Sequence, residues 1–204
     1  MASRRGSKEP TAGRQRGQSL VEMAVALVVL VPLAAGLGAT ADHSPPPADA
    51  QVCSRAQPVQ PIYASGVYAD GVVAFEPSAD ADYPVDVVLY RATKGACSKS
   101  RIDRYSFEGA PPKVEAVFPY ALRGQPRLFV IVSWAVNHRG EGTYGTLYQV
   151  YAYGQDGKGG LVPDKTIADS DAMTGVEGQA DGEPAHFSGK TPAEVRRLVD
   201  TIMK

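Results

Sequence analysis

The sequence predicts an α+β protein, in which a single N-terminal transmembrane or signal helix precedes a small, mainly antiparallel β-sheet domain with a C-terminal helix. Three observations predict this class. Residues 20–41 are apolar or small at nearly every position, later segments alternate β-branched and aromatic runs with turns, and an amphipathic helical pattern ends the chain. The 204 residues include 21 glycines, 16 prolines and 10 tyrosines. This composition favours strands and turns over a helical bundle.

The charged residues divide into a basic leader and an acidic body. The formal net charge is -1, which provides no attraction for a polyanion, so no nucleic-acid partner is expected. Residues 1–17 hold five basic residues against Glu9 alone, and the rest of the chain carries about -5. We therefore divide the chain into four parts, which are a basic cytoplasmic leader (1–17), a hydrophobic segment (18–41), a proline-rich stalk (42–51) and an extracytoplasmic α+β domain (52–204).

The hydrophobic segment is long enough to cross a bilayer. About 19 residues, from position 23 to position 41, span roughly 28 Å at the α-helical rise, close to the thickness of the hydrocarbon core. Because the basic cluster precedes the segment, the positive-inside rule keeps the N-terminus in the cytoplasm and sends residues 42–204 across the membrane. The membrane is therefore an expected partner.

Two processing routes fit this segment. Small residues at Ala39 and Ala41, just before Asp42, make the pattern of a signal-peptidase site, and cleavage there would release a soluble periplasmic or secreted protein. The second route starts from Glu22, which is the one charged residue in the apolar run. An ionised carboxylate at the membrane threshold is costly, so its presence indicates a use.

The stretch RGQSLVE at 16–22, followed by MAVALVVLVPLAAG, resembles the N-terminus of type IV prepilin-like proteins, and in particular that of TadE-like minor pilins of tight-adherence pili. The resemblance covers about residues 14–38. It implies cleavage between Gly17 and Gln18 by a prepilin peptidase, and it implies that Glu22 pairs with the new N-terminal amine of a neighbouring subunit. It also implies a bacterial inner-membrane location with the main domain in the periplasm, and other envelope or pilus-assembly proteins as partners.

The stalk and the body follow from local patterns. Three consecutive prolines at 45–47 predict a semi-rigid polyproline segment. The predicted strands are 62–68, 72–75, 85–91, 102–107, 114–119, 127–136 and 146–153. Because the run RLFVIVSWAV at 127–136 is apolar throughout, we expect it in the middle of a sheet, covered on both faces and paired in a hairpin with the alternating run at 145–154.

The C-terminal helix has a clear start signal. Thr191 and Glu194 have the spacing of a capping box, and Pro192 stands at the first helical position. The apolar residues that follow at helical spacing predict the face that packs on the sheet, namely Val195, Leu198, Val199 and Ile202.

Residues with chemical potential are few. Cys53 and Cys97 are the two cysteines, and in an oxidising compartment they predict one disulfide. The three histidines lack the spacing of metal ligands, and the acidic residues between 164 and 183, Glu177 among them, are interpreted as solvated loops. Motifs for a catalytic nucleophile, a phosphate loop or a dinucleotide are missing, so we expect no catalytic residue, cofactor or metal.

Tyrosines cluster on and beside one predicted strand, with Trp134 on its neighbour. Alternation sends Tyr151 and Tyr153 to one face and Tyr148 to the other, so part of the cluster is core and part is surface. The candidate partner-binding residues are Trp134, His138, Tyr144, Tyr148 and Tyr151. Two functions stay open at this point: a non-enzymatic, pilin-like envelope component that acts through protein contacts, or a signal-peptide-cleaved periplasmic binding, inhibitor or immunity module.

Overall fold

The computed structural model describes residues 62–93 and 96–203. The basic leader, the hydrophobic segment, the stalk, the two processing sites, Glu22 and Cys53 lie outside the described residues. Within the described ranges, the chain forms ten β-strands in two antiparallel sheets, together with two α-helices and two short 3-10 helices. None of the helices in these ranges has both the length and the apolar character needed to cross a membrane.

Sheet A consists of four antiparallel strands in sequential order. They are β1 (Tyr63–Ala64), β2 (Gly71–Pro77), β3 (Val85–Thr93) and β4 (Ala96–Tyr105). Alternation gives the sheet two apolar faces on its central strands. On β2, Val73 and Phe75 point towards sheet B, whereas Val72 and Ala74 point away from it.

Sheet B consists of six strands in the order β10-β9-β7-β6-β5, with β8 paired to β7. They are β5 (Lys113–Leu122), β6 (Gln125–His138), β7 (Thr143–Gln155), β8 (Leu161–Pro163), β9 (Thr174–Ala180) and β10 (Glu183–Ala185). A 3-10 helix at Arg139–Glu141 joins β6 to β7. The predicted hairpin between these two strands is confirmed.

The two sheets enclose one core between them, and sheet B carries a second core on its other face. The inner core includes Phe75, Leu89, Val130 and Tyr153, which are all at most 1% exposed. Because β6 contributes to both cores, every residue from 128 to 134 is buried. The expectation of a central strand is therefore confirmed, and burial extends over residues 128–134 of the predicted 127–136, whereas Ala135 is exposed.

Two α-helices follow β8 and β10 in the chain, namely α1 (Lys165–Ala168) and α2 (Pro192–Ile202). A 3-10 helix at Asp171–Met173 lies between α1 and β9. The capping box is present in both directions, because Thr191 accepts from the backbone of Glu194 and the Glu194 carboxylate accepts from the backbone of Thr191. Val195 and Val199 are buried against sheet B. Ile202 is 37% exposed instead of facing the sheet, since Met203 packs there.

A mainly antiparallel β-domain with a C-terminal helix is thus confirmed, and two expectations need correction. The single predicted sheet is two sheets packed face to face. No strand was predicted after residue 153, and the acidic residues between 164 and 183 were interpreted as solvated loops, but this part of the chain contains β8, β9 and β10. β8 and β10 are only three residues long and contain proline, and glycine interrupts β9, so these strands lack the apolar alternation from which strands are predicted.

Candidate functional site

The helix-facing side of sheet B changes from apolar to polar along its strands. On β6, Phe129 and Ile131 belong to the core beneath α2, while Ser133, two residues further on, lines an open surface. On β7, Val150 is buried in the same core and Tyr148 lines that open surface. Because residues two apart share a strand face, one continuous face is covered at one end and open at the other.

The open end forms a groove with a volume of about 700 Å³, which we call the sheet B groove. One wall is the segment 110–112, which precedes β5. The strand residues that line the groove are Lys113, Glu115, Ser133, Ala135, Thr146 and Tyr148. These side chains are polar or small, so the groove offers hydrogen-bonding groups around a limited apolar surface.

A β-bulge places Glu115 in the groove. Val114 pairs with Val132 and Ala116 pairs with Ile131, so Glu115 is the extra residue between them. The Glu115 carboxylate accepts a hydrogen bond of 2.6 Å from the Ser133 hydroxyl and forms an ion pair of 3.0 Å with the Lys113 ammonium. Ser133 is only 4% exposed, so this hydrogen bond satisfies a hydroxyl that is largely withdrawn from water.

A second charged cluster lies on β9, across β7 from β6. Glu177 accepts from the ammonium of Lys190 at 2.8 Å, from the ring of His186 at 3.0 Å and from the backbone of Phe187 at 3.1 Å. The Lys190 ammonium, followed by the Phe187 amide, lowers the pKa of Glu177 from 4.5 to about 2. Glu177 pairs with Thr146 across β7 and β9, so it lies beside the groove.

Tyr148 lies between these two charged clusters. Its ring stacks on Phe187, with centroids 5.8 Å apart and planes at 21°. Burial raises the pKa of the Tyr148 hydroxyl, and the carboxylates of Glu115 and Glu177 raise it further. A Cβ at Gly175, which pairs with Tyr148, would lie 2.7 Å from the Phe187 ring, so the absence of a side chain at 175 allows this stacking.

A smaller cavity of about 360 Å³ is lined by Tyr83, Arg101, Asp103 and Arg104, together with Ile102. Its arginines are already engaged, since Arg104 forms ion pairs with Asp80 and Asp86, and Arg101 lies 3.7 Å from Asp86. Within the ranges that the structure describes, no group of three or more His, Cys, Asp or Glu side chains is placed to hold a metal ion.

The predicted partner-binding residues do not come together. Trp134 is 2% exposed and donates its indole N–H to the Ser106 carbonyl at 2.8 Å, within the core between the sheets. Tyr151 belongs to the same core, where its ring stacks on Tyr105 with centroids 4.8 Å apart, and burial raises its pKa. Tyr148 is on the opposite face, as alternation predicted.

His138 and Tyr144 lie at the far end of the β6–β7 hairpin. His138 is exposed and pairs with Thr143, and a Cβ built on Gly109 would lie 3.9 Å from its Nε2 atom. The Arg139 guanidinium lies over the Tyr144 ring, 4.4 Å from its centroid. His138 is therefore near the segment that leads into the groove wall. Of the five predicted partner-binding residues, only Tyr148 lines the groove.

Sequence reasoning missed Glu115 and Ser133, which line the groove, and Glu177, which lies beside it. The sequence signals only Ser133: on the strand face that carries Phe129 and Ile131, the next residue is polar. The pairing of β9 with β7, which brings Glu177 to this face, leaves no comparable signal. No protein family, curated protein or solved structure that was compared with this chain matches it.

Proposed function

We propose that this chain is a non-enzymatic, membrane-anchored bacterial envelope protein, whose main domain lies in the periplasm and acts through protein contacts in pilus or secretion assembly. The sheet B groove is the contact site in this proposal. The observation that carries it is the open continuation of the helix-covered face. There Ser133 is bonded to Glu115 of one charged cluster, and the Tyr148 ring stacks on Phe187, whose amide bonds Glu177 of the other.

A polypeptide segment is the ligand that best suits this groove. Its backbone amides and carbonyls can bond the hydroxyls of Ser133, Thr146 and Tyr148, and an apolar side chain can pack on the Tyr148 ring. Charged side chains of a partner can join the Lys113–Glu115 and Lys190–Glu177 pairs at the two sides. Mixed charge favours a specific register over general attraction of one charge type.

The membrane anchor in this proposal rests on the N-terminal sequence. The basic leader orients residues 18–41 in the inner membrane, a prepilin peptidase cuts between Gly17 and Gln18, and Glu22 takes part in assembly. In the alternative, cleavage after Ala41 releases a periplasmic binding, inhibitor or immunity module that uses the same groove.

Mass spectrometry of the mature N-terminus separates the two. A chain that begins at Gln18 supports the pilin-like proposal, and a chain that begins at Asp42 overturns it in favour of the soluble module. An uncut chain would support a plain membrane anchor and remove the role proposed for prepilin processing.

Filling the groove tests its role as a contact site. We expect Thr146→Arg to reduce incorporation of the chain into envelope complexes at least tenfold, as measured on native gels of membranes from the producing bacterium. The matched control is Val162→Arg, since Val162 is 45% exposed on β8 and does not line the groove. Normal incorporation of Thr146→Arg, with an unchanged unfolding midpoint, would exclude the groove as the contact site.

A further inference from the structure

Two exposed aromatic side chains come from loops that meet at one end of sheet A. Tyr83, which is 41% exposed, lies in the loop that joins β2 to β3, and Phe107, which is 48% exposed, lies in the segment that joins β4 to β5. The backbone N–H of Phe107 donates to the carbonyl of Asp82 at 2.8 Å, so the two loops are in direct contact. We call this surface, formed by residues 78–84 and 106–109, the aromatic patch.

The backbone that carries Phe107 is held in place on both sides. Before it, the Ser106 carbonyl accepts the indole N–H of the buried Trp134 at 2.8 Å. After it, Gly109 turns the chain in the left-handed region, with φ at 76°. A ring that projects into water from a fixed backbone loses little conformational freedom on binding. Phe107 therefore has the properties of an anchor for a protein partner.

The Tyr83 ring is also held in place, and it borders a cavity. Its backbone N–H donates to the Asp80 carbonyl at 3.2 Å, and the Arg104 guanidinium lies over the ring, 4.4 Å from its centroid. The ring lines the cavity of about 360 Å³, whose arginines pair with Asp80 and Asp86. The patch thus offers a partner two positioned rings and a recess beside one of them.

The charges of the aromatic patch are acidic. Its two loop segments contain three carboxylates, those of Asp80, Asp82 and Glu108, and no lysine or arginine. Arg104 of β4 compensates the charge of Asp80. Asp82 and Glu108 are exposed, and neither forms an ion pair within the ranges that the structure describes, where Glu108 accepts from the neutral Ser106 hydroxyl at 2.6 Å. Two uncompensated negative charges therefore accompany the exposed rings.

We propose that the aromatic patch binds a basic polypeptide segment of a partner protein, at a site separate from the sheet B groove. A lysine or arginine of that segment places its cation at the carboxylates of Asp82 and Glu108 and packs its methylene stem on the Phe107 ring. An apolar neighbour of that residue packs on Tyr83. The chain from residue 18 onward is acidic as a whole, which also favours the approach of a basic partner.

The same charges disfavour other occupants of the patch. Two copies of this chain joined through it would bring like charges together, which is costly. An anionic bilayer surface or a nucleic acid would be repelled for the same reason. Charge complementarity therefore selects a basic polypeptide.

Fluorescence anisotropy with defined peptides tests the patch on the full chain in neutral detergent micelles. The probe is a labelled peptide in which arginines flank a leucine among serines, and the matched peptide has glutamates in place of the arginines. We expect the arginine peptide to bind with a Kd below about 1 mM and the glutamate peptide to bind at least roughly tenfold more weakly. Equal binding of the two peptides, or no binding of the arginine peptide, would overturn the proposal.

Variants of the chain test the residues that carry the patch. Phe107→Ala should weaken binding of the arginine peptide roughly tenfold, and the double variant Asp82→Asn/Glu108→Gln should weaken it several-fold. The matched control is Val162→Ala, which truncates an apolar side chain that is 45% exposed on β8 and should leave the affinity unchanged. Parent-like affinity in both patch variants, or an equal loss in the control, would show that the peptide binds elsewhere.

Cross-linking separates the patch from the sheet B groove. A second arginine peptide carries a benzophenone in place of its leucine, and mass spectrometry maps the products on the full chain. We expect cross-links to residues 78–84 and 101–109. Products confined to groove residues 110–115 or 146–148 would assign the peptide to the groove and overturn the patch, and so would products confined to any other segment. Because the groove is tested by Thr146→Arg, either site can fail while the other stands.

Discussion

The outer faces of the two sheets differ in how their apolar residues are covered. On sheet B, Phe129 and Ile131 lie beneath α2, and the face becomes polar at Ser133, where the groove opens. On sheet A, Val88 and Tyr90 are as fully buried, although no described helix lies over them. Local alternation produced two apolar faces, and among the described residues a helix covers only the face on sheet B.

On sheet B the open surface begins where helix α2 no longer covers the face and the side chains become polar. The groove of sheet B lies where the face is built from hydroxyl and charged side chains, so leaving it in water costs little. The apolar face of sheet A would be costly to expose. Three predictions test this difference, in order of decreasing effect.

The largest effect is expected in the covered half of sheet B. Phe129 is fully buried and its ring stacks on Phe118, with centroids 5.5 Å apart. Phe129→Ala should lower the free energy of unfolding by about 3–5 kcal/mol in urea denaturation, because it removes buried apolar contacts and leaves a cavity. The control Phe107→Ala, at a position 48% exposed, should change it by less than about 1 kcal/mol. Equal effects of the two variants would contradict the comparison.

An intermediate effect is expected on the outer face of sheet A. Val88→Ala should lower the free energy of unfolding by about 2 kcal/mol, because two methyl groups are lost from a position that is 2% exposed. Thr146→Ala, in the sheet B groove, is the matched control and should cost less than about 1 kcal/mol. If Val88→Ala costs no more than Thr146→Ala, the outer face of sheet A is open to water, and the contrast between the two faces fails.

The smallest effect concerns the charge cluster beside the groove. The pKa of Glu177 is lowered from 4.5 to about 2, so its charge pairs stabilise the folded state above pH 4.5 and this contribution is lost as the pH falls towards 2. Carboxyl titration by NMR should give the lowered value in the parent chain. Because the Lys190 ammonium is the first cause, Lys190→Met should raise the pKa of Glu177 towards 4.5. An unchanged value in that variant would contradict the assigned pairing.

Much of the fold was predictable because its signals are local. The capping box of α2 depends on residues three apart, and the burial of residues 128–134 follows from an unbroken apolar run. The strands β8, β9 and β10 were missed because two of them are three-residue segments that contain proline and the third is interrupted by glycine. The division into two sheets was missed because it depends on which distant strands pair.

The candidate site was predictable only in part. Tyr148 was placed on the correct face by alternation, whereas Glu115 reaches the groove through a β-bulge that no sequence pattern announces. Glu177 was interpreted as a solvated loop acid, and its partners Lys190 and His186 come from chain segments that pack beside β9 only after folding. Trp134 lies in a run that is apolar on both strand faces, so the sequence did not decide its side, and it packs in the core between the sheets.

The sequence by itself determined the start of α2, the two faces of each long strand and the central position of β6, because spacings of two to four residues set these features. The tertiary structure decided which face became core, groove or covered surface. It brought Glu115 to Ser133 and Glu177 to Lys190, since such contacts depend on strand register between residues far apart in the chain. Alternation divided the aromatic residues of β6 and β7 between two strand faces, and the tertiary structure decided which face became the core and which carried the groove.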